Sequence, residues 1–198
     1  MTIFYEVYGN LYVNLTNKCP CACNFCIRTQ GDGVGDGNFL WLECEPQIDE
    51  IKKDFDKIEI DKYNEIVFCG FGEPLERLDT LIETARYIKS KTDKIIRLNT
   101  NGLSDLIYNE PTAQKLQGVI DVVSISLNAP DSATYMQRCN PRFGEKSFDA
   151  ILKFANDCTR YIKTVIFTVV DCIDDGEIEK CRKIAKESGV EFRVRKFQ

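Results

Sequence analysis

The sequence predicts an α/β fold: a partial, three-quarter TIM barrel, (β/α)6, with an N-terminal antiparallel edge strand. Three observations predict it. Runs rich in β-branched residues alternate with helix-like runs from one end to the other, the pattern of a parallel sheet with helical crossovers. Six strand–helix pairs joined by right-handed crossovers curl toward a barrel, and 198 residues fall short of the roughly 250 that eight pairs take. No G-x-G-x-x-G follows the first strand, which argues against the doubly wound dinucleotide fold. Residues 1–198 read as a single domain with enough chain for a substantial core.

Ile3–Tyr8 and Leu11–Leu15 flank Gly9-Asn10 and predict a tight hairpin, which supplies the edge strand. Further strands are predicted at Glu65–Cys69, Ile95–Asn99, Val122–Leu127, Thr164–Val170 and Glu191–Arg195, apolar enough to be covered on both faces. Gln47–Ile58 places Ile48, Ile51, Phe55 and Ile58 at helical period. Asp79 is the expected N-cap of a helix through Lys89, with Leu81, Ile82, Ala85 and Ile88 on one face. A short helix over Thr112–Gln117, one over Phe148–Tyr161 and one from Asp175 to Ser188, closed by Gly189, complete the set. The irregular stretch Thr29–Glu45 holds Gly31, Gly33, Gly35 and Gly37. Loops of that length inside a compact domain are usually functional or mobile, and if the site is a capped pocket Gly31–Gly37 is expected to form part of its lid.

A net charge of −5 gives no electrostatic footprint for nucleic acid or an anionic membrane. The start of the chain lacks the pattern of a signal peptide, and no apolar run approaches the roughly 20 residues of a membrane span. The expected location is cytoplasmic, where ten cysteines stay reduced. Cys158 and Cys181 fall inside helical patterns and read as small core residues.

The remaining thiols concentrate. Cys19-Pro-Cys21-Ala-Cys23-Asn-Phe-Cys26 places four in eight residues, and the chain has no histidine. Read as Cys19-x3-Cys23-x2-Cys26, three thiolates could hold an iron–sulfur cube and leave one iron open to a non-protein ligand. A four-cysteine zinc site and a Cys23-x2-Cys26 redox pair are the alternatives, with Cys21 as a bystander in the cube reading. In a parallel barrel the site lies at the carboxyl ends of the strands. There the sequence gathers the cysteine loop, Cys69-Gly-Phe-Gly-Glu73-Pro74, Asn99-Thr-Asn101-Gly102 and Ser126-Leu-Asn128. Glycines let a backbone approach a ligand closely, and a carboxylate can hold an ammonium.

With these motifs the chain resembles the radical S-adenosylmethionine (SAM) superfamily, marked by C-x3-C-x2-C with an aromatic, here Phe25, before the last cysteine. The resemblance implies a [4Fe–4S] cluster on Cys19, Cys23 and Cys26, with SAM on the fourth iron. It implies reductive cleavage of SAM to a 5′-deoxyadenosyl radical that takes a substrate hydrogen, driven by an external reductant such as flavodoxin or ferredoxin. The family's Gly-Gly-Glu-Pro motif appears as Gly70-Phe71-Gly72-Glu73-Pro74, one residue longer between the glycines. By resemblance, Gly72, Glu73 and Pro74 hold the SAM ammonium, and Asn99, Thr100, Ser126 and Asn128 contact its ribose or carboxylate.

Leu15-Thr-Asn17, Asp32-Gly-Val-Gly35, Leu40-Trp-Leu42, Glu45-Pro46 and Phe192-Arg-Val-Arg195 are similar to the small TatD-associated radical SAM group. That group includes queuine lyases, which release 7-aminomethyl-7-deazaguanine in queuine salvage. The implied activity is a carbon–nitrogen lyase acting on a small molecule, with no direct nucleic-acid or membrane partner. A radical SAM maturase acting on a protein or peptide is the second reading, and a non-catalytic iron–sulfur or zinc module the third. A carboxylate pair can accept from a deazaguanine edge. Glu43 and Glu45 are the candidates, or else they cap the following helix. Asn14 and Asp171, at strand ends, are candidate substrate contacts. Arg193 and Arg195 share one face of the last strand, facing either the cavity, toward substrate and SAM respectively, or solvent. Without histidine, acid–base work falls to groups such as Lys18, Cys44 or Glu45.

Overall fold

The computed structural model describes residues 1–34 and 38–196. Strand β1 (Phe4–Val7) turns back antiparallel into β2 (Asn10–Val13) through Tyr8 and Gly9. Both turn residues have positive φ, +50° and +72°, which gives the turn the twist a two-residue hairpin needs. The turn therefore lies one residue earlier than the expected Gly9-Asn10. The long irregular stretch carries a two-stranded ribbon, β3 (Gly33–Val34) with β4 (Asn38–Phe39). Gly35 and Gly37 of the expected lid lie outside the described residues.

Strands β5 (Glu65–Phe68), β6 (Ile95–Thr100), β7 (Val122–Ser126), β8 (Thr164–Val170) and β9 (Glu191–Arg195) add in parallel to β2, giving the order β1-β2-β5-β6-β7-β8-β9. This is the expected sheet, an antiparallel edge followed by six parallel strands, with β1 and β9 as its edges.

The helical layer departs from one helix per strand. Helix α1 (Ile48–Phe55) starts where the Glu50 carboxylate accepts from the Gln47 N–H at 2.7 Å, so neither Glu43 nor Glu45 provides its cap. Helix α2 (Leu78–Lys89) begins one residue before Asp79, which sits in the first turn rather than at the cap and favours the positive end of the helix dipole. The β6–β7 crossover holds a short α3 (Ser104–Tyr108) and, at the expected Thr112–Gln117, a 3-10 turn over Ala113–Leu116. The β7–β8 crossover holds two helices, the unanticipated α4 (Ser132–Cys139) and α5 (Lys146–Cys158). Helix α6 (Asp175–Glu187) is capped by Asp174, which accepts from the Glu177 N–H, and ends before Gly189 at φ +67°.

Ile66, Phe68, Ile96, Leu98, Val123, Ile125 and Phe167 point to the helical layer and are at most 3% exposed among Leu81, Ile88, Ile151 and Phe154. Each such burial contributes about 1.5–3 kcal/mol. The alternate residues Arg97, Asn99, Ser124, Ser126, Arg193 and Arg195 line a cavity instead. Two apolar faces were expected from the sequence; the inner face is polar, and it positions the site. Among the described residues no helix is long and apolar enough to cross a membrane.

Candidate active site

The cavity has a volume of about 580 Å3 and lies over the carboxyl ends of β2, β5, β6 and β7. Cys19, Cys21, Cys23 and Cys26 line it together with Phe25 and residues 69–74. The cysteine loop is held from two sides. On one side the last turn of α4 leaves carbonyls without helical partners, and the loop supplies them: Ala22 N–H donates to Cys139 O at 3.0 Å and Asn24 N–H to Arg138 O at 2.9 Å. Arg142 N–H returns a bond to Pro20 O at 2.8 Å.

On the other side lies the segment Gly70–Pro74. A Cβ at Gly72 would sit 2.2 Å from Thr16 O and 2.6 Å from Lys18 O, and one at Gly70 would sit 2.1 Å from Asn14 Oδ1. Both glycines therefore exist where the lead-in to the cysteine loop crosses closest. Phe71, between them, is buried with Tyr5 and Leu40 and meets Trp41 edge-on at 5.0 Å.

Glu73 is 4% exposed. Its Oε1 accepts from Thr100 Oγ1 at 2.7 Å and Leu75 N–H at 3.1 Å, and its Oε2 from Asn101 N–H at 2.7 Å. Burial pushes its carboxyl up to about 7, against the opposite pull of those bonds. A buried carboxyl that titrates near neutrality is suited to receive a cation. Asn101 Nδ2 reaches to 3.9 Å from Cys19 Sγ. Asn128 holds a left-handed backbone, φ +57°, with its carbonyl tied to Arg138 at 3.2 Å and Arg138 paired with Glu177. The side-chain oxygens of Asn99 and Asn128 are buried without a hydrogen-bond partner, and both residues line the cavity. Orphaned acceptors of this kind call for donors from a bound molecule.

The surroundings of Cys19 and Cys23 favour the protonated thiol. Hydrogen bonding to Cys21 and burial raise Cys19; hydrogen bonding to Cys139 and burial raise Cys23. Binding a metal group must displace those protons. Among the described residues no three His, Cys, Asp or Glu side chains surround a single ion position. A cube asks for something else, because each thiolate takes a different iron. The donor set, soft thiols on one loop at a cavity wall, fits a cube. Cys21, 6% exposed, has its Sγ 3.7 Å from Tyr135 OH.

Soft thiols beside orphaned amide acceptors define a site for a metal cluster together with a polar organic cofactor. A family model described as the radical SAM superfamily matches residues 13–185, and the chain belongs to that superfamily. Its cofactors are a [4Fe–4S] cluster and SAM. The chain is 25% identical over 199 aligned positions to a probable dual-specificity RNA methyltransferase, RlmN, of Streptococcus sanguinis, covering 93% of this chain and 52% of that one. It thus spans about half the length of the curated relatives it matches. Among solved structures it resembles Streptococcus suis SuiB bound to its precursor peptide SuiA, with TM-score 0.64, 16% identity, and coverage of 98% of this chain and 40% of that one. Methylornithine synthase, PylB, gives TM-score 0.64 at 14% identity, covering 96% and 53%. These likenesses carry the fold.

Gly72, Glu73, Pro74, Asn99, Thr100, Ser126, Asn128, Arg193 and Arg195 all line the cavity, so both strand-end arginines face inward. Lys18, Glu43, Cys44 and Glu45 do not line it. Lys18 Nζ pairs with Glu45 Oε1 at 3.0 Å, the lysine side chain being 68% exposed. Glu45 also accepts from Thr16 Oγ1 at 2.8 Å and lies 3.7 Å from Arg77 Nε, and these partners hold its carboxyl low although burial opposes them. Glu43 and Cys44 are exposed. Asn14 is buried beneath the wall, its Nδ2 donating to Leu40 O at 2.8 Å, and Asp171 is exposed at the end of β8. The structure thus assigns these residues to the framework or the surface rather than the cavity. For Asn14, Lys18 and Glu45 the reason is common: with Thr16 they tie Leu40 and Glu45 to the lead-in of the cysteine loop. Asn17 exchanges two bonds with Leu42, at 2.7 and 3.0 Å, and Trp41 Nε1 donates to Asp32 at 3.0 Å.

Tyr12, Arg97 and Ser124 also line the cavity, and Cys139 stands beside Cys23, although no motif marks any of the four. The signal was available for two of them. Arg97 and Asn99 in β6, and Ser124 and Ser126 in β7, alternate with apolar residues, as the inner wall of a strand does.

Proposed function

We propose that this chain holds its cluster on Cys19, Cys23 and Cys26 and performs hydrogen abstraction on a substrate that enters the same cavity. When bound, the cluster and SAM supply an electron and a 5′-deoxyadenosyl radical. The observation that supports the reading is that the cysteine loop, buried Glu73 and the orphaned Asn99 and Asn128 oxygens all open onto one space. Glu73 would receive the SAM ammonium, Asn99 and Asn128 would accept from its ribose or amino group, and the cavity walls would keep water from the radical. Cys21, turned to Tyr135, stays outside the ligand set. The electron comes from an external reductant of the flavodoxin or ferredoxin class.

The cavity falls within the roughly 300–1,000 Å3 of small-ligand sites and must also take the cluster and SAM, so the room left favours a small-molecule substrate. A queuine lyase is one case of that class. Its support is the group motif alone, since the carboxylates proposed for the deazaguanine edge, Glu43 and Glu45, stand away from the cavity. The peptide-maturase reading has one observation in its favour: β9 is an exposed edge strand to which a peptide could add. Its charges at Arg193, Arg195 and Lys196 are the usual defence against such pairing, so the small-molecule reading stands first.

Anaerobic reconstitution tests the activity. About four irons per chain and reductant-dependent 5′-deoxyadenosine from SAM are expected; bound zinc with intact SAM would overturn it. Adding queuine and following 7-aminomethyl-7-deazaguanine decides the lyase case.

A further inference from the structure

We propose that the arginine-lined side of the cavity binds an anionic group of the substrate, a carboxylate or a phosphate. The inference rests on the reading of this cavity as a radical enzyme's site, and it names the class of substrate. Arg97 of β6 and Arg193 and Arg195 of β9 all line the cavity, and burial, with the charges of Arg97 and Arg193 after it, lowers the Arg195 guanidinium from its ordinary range. Among the described residues the carboxylate paired within this group is Glu65, on Arg97. Arg195 reaches Ser126 Oγ at 3.5 Å, and Arg97 Nε is buried with no partner. Like charges gathered against a low-dielectric wall repel one another, and a bridging anion relieves that repulsion.

This side of the cavity also has an aromatic wall, its two rings tilted 39° to one another. Tyr5 and Tyr12 line it with ring centroids 5.2 Å apart, and the register Tyr12–Val67–Arg97 sets Tyr12 level with Arg97. A substrate with a planar or apolar body and an anionic end matches both features. A cationic base, with its protonated amine, would meet the guanidiniums instead.

Of the three arginines, Arg97 alone stands clear of the SAM end by position, since through Thr168 Arg193 is level with Ser126; the SAM arm of the titration below separates this anion from the carboxylate of SAM. Arg97 precedes Asn101, the residue beside Cys19, by four positions, which is roughly 13 Å along a strand. Its salt bridge to Glu65, level with Ile95, draws the guanidinium still further from the cysteines.

The test is calorimetric titration of the reconstituted holoprotein with inorganic phosphate and with acetate, at constant ionic strength, with and without saturating SAM. The variants are Arg193→Gln and the double variant Glu65→Gln/Arg97→Gln, which leaves neither buried charge alone. At least one anion should bind SAM-saturated protein and bind about tenfold more weakly to each variant that folds, with SAM affinity unchanged in both. Arg193 lies on an exposed edge, so that variant keeps the test decisive if the buried pair fails to fold. Anions that bind neither form, that compete with SAM, or that bind the variants equally well would overturn the proposal. So would loss of SAM affinity in the variants, which would assign the arginines to SAM. A wild-type protein that fails to bind SAM sinks the radical reading by a separate signal.

Discussion

Glu73 combines a role in the fold with a role in the site. Its carboxyl is held near 7, above its ordinary 4.5, by burial, so between those values the folded chain keeps a proton that the unfolded chain has lost. The stability this supplies is full below about pH 4.5 and falls as pH rises through 7, by about 3 kcal/mol at most. Glu73→Gln should therefore flatten the pH dependence of the urea midpoint between pH 5 and 8; an unchanged slope would contradict the assignment. The flanking glycines act through space rather than charge. Gly72→Ala drives a Cβ into two backbone carbonyls, and should cost about 1–3 kcal/mol together with most of the bound iron. Gly70→Ala meets a side chain, Asn14, so adding Asn14→Ala should restore part of the loss. Urea denaturation and iron content read both, and equal rescue of the two glycine variants by Asn14→Ala would be the contrary result.

Among the elements, α4 matters most to the site and was least legible in the sequence. It buries only Tyr135 and Cys139, too few apolar positions to raise a helical period. Asp131, whose side chain accepts from Thr134 N–H at 2.8 Å, was its one local signal. Yet the carboxyl end of α4 carries the carbonyls that fix the cysteine loop, and its Arg138 fixes Asn128. Removing that guanidinium leaves Glu177 unpaired and frees the strained Asn128 backbone. Arg138→Leu should lower stability by about 2 kcal/mol and weaken SAM binding, with Arg138→Lys recovering less than half, since lysine lacks the fork. Thermal unfolding and SAM titration measure the two effects; unaffected SAM binding would separate α4 from the site. The longer elements were legible because period and length agree in them. Strands β5 to β9 and helices α1, α2, α5 and α6 were each placed to within a few residues, their ends shifting where caps such as Gln47–Glu50 overrode the apolar count.

At the scale of the molecule, the order of six parallel strands behind an antiparallel edge follows from the alternation of patterns and the rule of right-handed crossovers. That order brings the polar residues at the ends of β2, β5, β6 and β7 together without further assumption, which is why the SAM end of the cavity could be anticipated from motifs. The other end could not. The polar inner face carrying Arg97 and Ser124 is interleaved with core residues, and the pairing of Lys18 with Glu45 depends on how residues 38–45 fold back, which no period announces. The central claim is a cluster on three cysteines with an iron open to SAM. Electron paramagnetic resonance of the reduced, reconstituted protein before and after SAM addition tests it most directly, in wild type and in Cys21→Ser. The expected result is a cluster signal that SAM shifts in both proteins and that is lost when Cys19, Cys23 or Cys26 is replaced. A signal indifferent to SAM, or one that requires Cys21, would contradict it.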